Sequence, residues 1–558
     1  MSDIDIASLR PAASSAWFAR RLARTLAGEA STLELPLAWL HHQWLQGHTC
    51  LDLSGHVLGD TEGARPGAER VQARARVPAS WRSDLAGLSC VERHEPGSRV
   101  PSERLLALEE DKLFLAACRH DEIVVADALR RRAVEPAPWR IPGAADTWIA
   151  DRVRALLPQA DALQITAAAL PFQSRLGIVT GGPGTGKTTV AGCMLDALLQ
   201  IDASVVVRVL APTGKAAARM TQSLRAMAAR TGLDVRTREI LRSVEASTIQ
   251  HALLSGGGVG LRAAGLVIVD ECSMIDLSLM RRLLEGIAPQ ACLVLLGDPA
   301  QLASVEAGSL LGDLLPQEPS HPLRACTVAL THSHRFAKES ALGALAGAIR
   351  DADVVGVERA LESGDGLSWI RAGSSGEIIE AAVRVQAGFT GEARVLCGHR
   401  RGPDGSLAVN RAITRARFET VDADPVHGSD FVGRPVIVTV NDPVTGLHNG
   451  DTGVVERAAD GLVARFADLG FAIPVSGLPA RETAWALTIH KSQGSEFDEV
   501  AIVLPVQASP VLTRELLYTG VTRSRRRVTL IASEATLRAA IEHRIERASG
   551  LRARLLHG

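Results

Sequence analysis

Residues 181–189 read Gly181-Gly182-Pro183-Gly184-Thr185-Gly186-Lys187-Thr188-Thr189 and fill every fixed position of the pattern G-x-x-x-x-G-K-[S/T]. A short apolar run, Arg175–Thr180, precedes them, and an alanine- and leucine-rich stretch, Val190–Leu199, follows. A strand, a glycine turn and a helix start in that order aim backbone N–H groups and the positive end of a helix dipole at one point. Lys187 is then placed to reach the β- and γ-phosphates of a nucleotide and Thr188 to hold Mg²⁺. A chance glycine-rich loop would not bring the lysine, the hydroxyl and the flanking strand and helix together. The chain is expected to bind a nucleoside triphosphate and to contain a parallel α/β sheet behind this loop.

With 558 residues the chain is too long for one core, and three or four domains are expected. Six of the eight tryptophans (Trp17, Trp39, Trp44, Trp81, Trp139 and Trp148) lie before residue 150, so the chain changes character there. Pro136, Pro138 and Pro142 mark a linker. The net charge of −1 excludes a polycation, so any nucleic-acid contact must come from basic groups gathered in a groove. The eight cysteines show no C-x-x-C pair, which argues for reduced thiols in the cytoplasm and against a zinc ribbon or disulfide scaffold. His41, His42, His48 and Cys50 cluster in sequence, but their spacing fits no common zinc site. The start lacks the basic and apolar regions of a secretory signal, and no stretch is apolar enough to cross a bilayer.

After residue 150, apolar runs alternate with helical stretches. Val205–Leu210, Leu266–Val269, Cys292–Leu296, Arg394–Cys397, Val500–Leu504 and Val528–Ile531 read as buried parallel strands. Ligands of such sheets bind beyond the carboxyl ends of the strands. Asp270 and Glu271 directly follow one strand, and two acids there need a cation; Asp270 suits the Mg²⁺ shell and Glu271 the attacking water. Asp276 reads as a helix cap, with Met280, Leu283, Leu284 and Ile287 as core. Gln301 follows the next strand as an amide able to sense the γ-phosphate, while Gly297-Asp298-Pro299 reads as a turn. The second half brings cations without a loop of its own: Arg523 is assigned to neutralise transition-state charge, with Arg335 assisting, and Arg525–Arg527 to a solvated face or a backbone contact. Pro212, Thr213, Lys215, Thr248, His251, Thr488 and His490 supply hydroxyls and cations suited to phosphodiester contacts without sequence readout.

In order, these segments resemble the motif set of superfamily 1 helicases: Gln164, the P-loop, APTGKAAAR, STIQH, VDECSMID, GDPAQL, HRF, TIHKSQGSEF and YTGVTRSRRR. Their detail is closest to the RecD family, the alpha subunit of exodeoxyribonuclease V, over about 160–545. That resemblance implies two RecA-like domains with ATP between them, at 146–345 and 346–558. It also implies an SH3-like barrel inserted at 430–482 and a mainly helical partner-binding domain at 1–145. For the residues, it implies that Gln164 reads adenine, Gln301 touches the γ-phosphate and Glu496 bonds the ribose. It further implies single-stranded DNA across the two domains, 5′→3′ movement, and RecB-like and RecC-like partners. His334 departs from the family tyrosine that can stack on adenine. A fused relaxase is disfavoured because the one tyrosine, Tyr518, belongs to the last motif, and no acid-plus-lysine cluster reads as a nuclease. A lapsed ATPase is disfavoured because all the expected catalytic residues are present. A free-standing RecD relative usually carries a longer N-terminal extension.

Overall fold

The computed structural model describes the chain except residues 1–5, 7–8, 26–29, 62–71, 140, 142–144, 231, 256–258, 334–339, 419–423, 425, 427, 467–470, 508 and 558. Six parallel strands form the first large sheet, in the order Ser247–Thr248, Val207–Ala211, Leu266–Val269, Cys292–Gly297, Leu176–Gly181, Thr327–Leu330. Alternate residues serve opposite faces. Val179, Ile268, Val294 and Leu296 join one core with the helices Ala162–Gln173, Lys187–Ile201 and Gly214–Ala228. Ile178, Val267, Leu293 and Leu295 join the other. Each fully buried aliphatic side chain contributes about 1.5–3 kcal/mol, so both faces must be covered, and both are. The P-loop strand Leu176–Gly181 lies between Cys292–Gly297 and Thr327–Leu330, the last two strands of this sheet in chain order.

A second sheet of five parallel strands runs Leu367–Arg371, Ser524–Ala532, Phe497–Val503, Ala393–Cys397, Ala486–Thr488. Between its helix Ser406–Arg417 and its strand Ala486–Thr488 the chain detours into a five-stranded antiparallel sheet. That sheet spans Pro435–Val438 to Arg481–Thr483 around Val436, Val455, Ala464 and Phe466.

The N-terminal region has more residues in helices than in strands, but it also holds sheets that the sequence reading did not foresee. Beside the helices Ala13–Thr25, Ala30–Leu45 and Ser80–Ala86 it has a three-stranded and a four-stranded sheet. Their strands are short and flanked by charged residues, which hid them from a search for apolar runs. The boundary near 145 also cuts a shared core. Val125, Ala126 and Leu129 of the helix Ala116–Val134 pack under the first large sheet, together with Leu551 and Leu555 of the C-terminal helix. Among the described residues, no helix is long and apolar enough to cross a membrane.

Candidate active site in the cleft between the two sheets

Backbone geometry sets the P-loop. Gly184 and Gly186 sit at φ +76° and +89°, a region open to glycine at no steric cost. A Cβ on Gly186 would also lie 2.9 Å from the Gln164 Nε2. Thr185 ties the loop by donating its hydroxyl to the Gly182 carbonyl at 2.9 Å. Lys187 opens the helix, and its Nζ donates to the carbonyls of Gly181 and Gly182 at 2.6 and 3.1 Å. A cleft of about 520 Å³ lies in front of it. Pro183, Gly184, Gly186, Thr188, Thr189, Asp270, Glu271 and Gln301 line it from the first lobe, and Glu496 and Arg523 from the second.

Two acids close the floor. Glu271 adopts a left-handed conformation, φ +52°, which strains a non-glycine residue by about 1 kcal/mol. Its N–H donates to the Asp270 Oδ1 at 2.9 Å. Burial and the adjacent Glu271 charge push the Asp270 carboxyl up to about 6, against the pull of Lys187. A half-buried acid pair sharing the cleft with the Thr188 hydroxyl is an oxygen-donor set suited to a hard divalent cation, which Thr188 and Asp270 could hold.

Arg523 reaches the cleft from the second lobe. It is 2% exposed and donates to the carbonyls of Thr519 (3.1 Å) and Ser495 (3.3 Å) and to the Gln301 Oε1 (3.2 Å). Burial lowers its affinity for its proton, and the Glu271 and Glu496 charges oppose that. Lys187, Asp270, Glu271, Gln301 and Arg523, drawn from four segments, thus share one cavity. Arg335 and His334 lie outside the described residues.

Three residues of the site escaped the sequence reading. Asp298, read as part of a turn, is buried and accepts from the Ala300 N–H, the Gln301 Nε2 and the Tyr518 hydroxyl. Tyr518 was placed only in a motif. Arg219 lines the cleft and pairs with Glu496 across the lobes, while the Arg525 Nε lies 3.6 Å from the same carboxylate. Its signal was the four-residue spacing from Lys215, which sets both on one helix face. Gln164 lines the cleft, but its amide is engaged. Oε1 accepts from the Asp161 N–H at 3.2 Å in a capping box, and Nε2 donates to the Thr185 carbonyl at 3.2 Å.

All the proposed DNA contacts fall at carboxyl ends of strands. Pro212, Thr213 and Lys215 follow Val207–Ala211, His251 follows Ser247–Thr248, and His490 follows Ala486–Thr488. The hydroxyls of Thr213, Thr248 and Thr488 accept the N–H groups of Ala216, His251 and Lys491 at 3.1–3.2 Å. Each caps a turn and keeps its own hydrogen to donate. Burial, aided by Arg547, lowers the His490 pKa and favours the neutral imidazole. Arg525 pairs with Glu392 and Asp498, and Arg527 with Glu499.

Profiles of an AAA domain and a UvrD-like helicase C-terminal domain match residues 159–375 and 483–531. The profile described as RecBCD enzyme subunit RecD, N-terminal domain, matches 12–114. The RecBCD enzyme subunit RecD of Mycolicibacterium smegmatis is 40% identical over 423 residues, covering 70% of this chain and 74% of that protein. The ATP-dependent RecD2 DNA helicase of Deinococcus radiodurans is 28% identical over 504 residues, covering 86% of this chain and 63% of that protein. A crystal structure of Pif1 helicase from Bacteroides with ADP-AlF3 and ssDNA aligns at 19% identity with a TM-score of 0.37, covering 70% of this chain and 92% of that one. On the 40% identity and the matched N-terminal domain, the chain belongs to the RecD family of RecBCD enzyme subunits.

Proposed function

We propose that the chain is an ATP-dependent DNA helicase that acts as the RecD-type subunit beside RecB-like and RecC-like partners and moves 5′→3′ along single-stranded DNA in double-strand break repair. The observation that carries the reading is the meeting of Lys187 from one lobe and Arg523 from the other in a single cleft, with Gln301 hydrogen-bonded to the guanidinium. Lys187 and the P-loop N–H groups bind the β- and γ-phosphates. Glu271 orients the attacking water, and Gln301 and Arg523 meet the charge that develops on the transferred phosphate. Mg²⁺, held by Thr188 and Asp270, neutralises phosphate charge when bound. Phosphate loss removes the anion that draws Arg523 inward, so the lobes part. Alternating grip between the Pro212–Lys215 and Thr488–His490 edges turns that motion into a step. The antiparallel insertion serves as an SH3-like barrel over the DNA path. Any nuclease activity belongs to a partner.

Two variants test this. Lys187→Gln is expected to abolish ATP hydrolysis while leaving DNA binding, and Arg523→Ala to keep nucleotide affinity within about threefold while losing 10³-fold or more in turnover. Hydrolysis at the unaltered rate in either would refute the assignment. A free-standing helicase similar to RecD2 is the competing outcome, and a chain that unwinds 5′-tailed duplex alone and ignores RecB and RecC would establish it. The match of residues 12–114 to the RecD N-terminal domain supports the subunit reading.

A further inference from the structure

Four hydrogen bonds tie the segment 298–302 of the first lobe to the second. The Tyr518 hydroxyl donates to the Asp298 Oδ2 at 3.2 Å, and the Leu302 N–H donates to the Thr519 Oγ1 at 2.9 Å. The Arg523 Nη2 donates to the Gln301 Oε1 at 3.2 Å, and the Gln493 Nε2 to the Leu302 carbonyl at 3.4 Å. Tyr518 stands on the helix Arg514–Val521, is 5% exposed, and its oxygen would lie 3.0 Å from a Cβ on Gly182. The phenol is therefore wedged between the P-loop and the end of the strand Cys292–Gly297.

Asp298 has little choice of partners in that wedge. Its Oδ1 accepts from the Ala300 N–H at 3.0 Å, and its Oδ2 accepts from both Tyr518 and the Gln301 Nε2. A side-chain amide has one donor end and one acceptor end. With the Gln301 Nε2 held by Asp298, the Oε1 must face Arg523, whose guanidinium can only donate. If the amide turned over, its NH2 and the Arg523 guanidinium would face each other as two donors, and the Oε1 would face the Asp298 carboxylate. The direction of one amide thus decides whether Arg523 has a seat, and Tyr518 steadies the carboxylate that decides it. Tyr518 and Arg523 are less than two helical turns apart, so the ring closes on the second lobe.

We propose that Tyr518 is a positioning residue for ATP hydrolysis, acting through Asp298 on the orientation of the Gln301 amide and so on the seat of Arg523. This rests on the assignment of Gln301 and Arg523 above and adds a residue that does not itself line the cleft.

The test is Tyr518→Phe, which keeps the buried ring and removes the one hydroxyl. DNA-stimulated kcat is expected to fall about tenfold, with the Kd of a fluorescent ADP analogue changed less than twofold. In a Gln301→Ala background the same substitution is expected to add less than a further twofold, because its target is gone. An unchanged kcat in Tyr518→Phe, or a full tenfold additional loss on Gln301→Ala, would overturn the proposal. Because Tyr518 is the only tyrosine, 3-fluorotyrosine places a single ¹⁹F label there. Its resonance is expected to move in Asp298→Ala, and an unmoved resonance counts against the link. If Lys187→Gln and Arg523→Ala retain hydrolysis, the underlying reading fails. If they lose it while Tyr518→Phe does not, this inference alone fails.

Discussion

Asp313 lies on the short helix Leu310–Leu314 beneath the C-terminal segment. Burial raises its carboxyl to about 7, with Ser549 pulling it down and Glu122 pushing it up. In the unfolded chain such a group titrates near 4, so the folded state holds this proton more tightly. The contribution of this group to stability is then greatest below about pH 4, falls as pH rises toward 7, and levels off above. Asp313→Asn keeps the neutral shape. It is expected to melt above the parent protein at pH 8, by about 2 kcal/mol after allowing for partial solvent exposure, with the difference vanishing toward pH 4. A variant less stable than its parent at pH 8 would contradict the argument. Legibility at this scale divides by where the partner comes from. Lys187 was readable from the glycine pattern that carries it, and Asp270, Glu271 and Gln301 because each lies within a few residues of the end of an apolar strand. Asp298 and Tyr518 were not, since their meaning lies in a hydrogen bond joining positions 220 residues apart. Nothing in local spacing encodes that meeting.

Among the elements of the two parallel sheets, the seven strands recognised in advance, the one before the P-loop included, are the inner ones. Leu266–Val269 and Cys292–Gly297 are buried at every position, which only covering on both faces allows. In those two sheets the strands that went unread are edges or very short. Thr327–Leu330 and Leu367–Arg371 mix buried, half-buried and exposed residues at sheet margins, and Ser247–Thr248 and Ala486–Thr488 have two and three residues. The antiparallel insertion makes a contact that its sequence does not announce. A Cβ on Gly214 would lie 3.0 Å from the exposed His448 ring, on the loop between Pro435–Val438 and Thr452–Ala458. Gly214 begins a helix capped by Thr213, and helix starts attract phosphate. A DNA backbone lying on that start would be flanked by the imidazole. His448→Ala is expected to weaken binding of labelled oligo-dT about three- to tenfold by fluorescence anisotropy while leaving ADP affinity unchanged. Equal DNA affinity would remove the insertion from the DNA path.

For the whole molecule, the decisive feature is the return of residues 547–557 to the N-terminal region. The Arg547 guanidinium donates to the carbonyls of Ser304, Glu306 and Gly308, a loop that begins three residues after Gln301. The Thr49 N–H donates to the Ala548 carbonyl at 3.0 Å, and the Ala548 N–H to the His48 Nδ1 at 2.8 Å. Arg554 then enters a buried network, donating to Glu109 at 2.7 Å and to Glu122 at 3.1 Å, while Arg119 donates to Glu109 at 2.6 Å. All four side chains are less than 10% exposed. Replacing such a cluster by apolar residues can be neutral, but removing one partner strands a charge and costs about 3–5 kcal/mol. A chain ending at Gly550 would lose Arg554 together with the Leu551 and Leu555 contacts. Glu122 would keep only its hydroxyl and N–H donors, and one face of the helix Ala116–Val134 would be uncovered. The first large sheet keeps its strand pairings without the tail, so the loss should fall on the N-terminal region. Limited proteolysis of the shortened chain is expected to cut within residues 1–115 at protease levels that leave the full chain intact, with 116–550, which keeps the helix Ala116–Val134 under the first sheet, surviving as a core that still hydrolyses ATP. Equal resistance in both chains would mean that the N-terminal fold stands without the strap, and that the buried arginine serves something other than holding the two ends together.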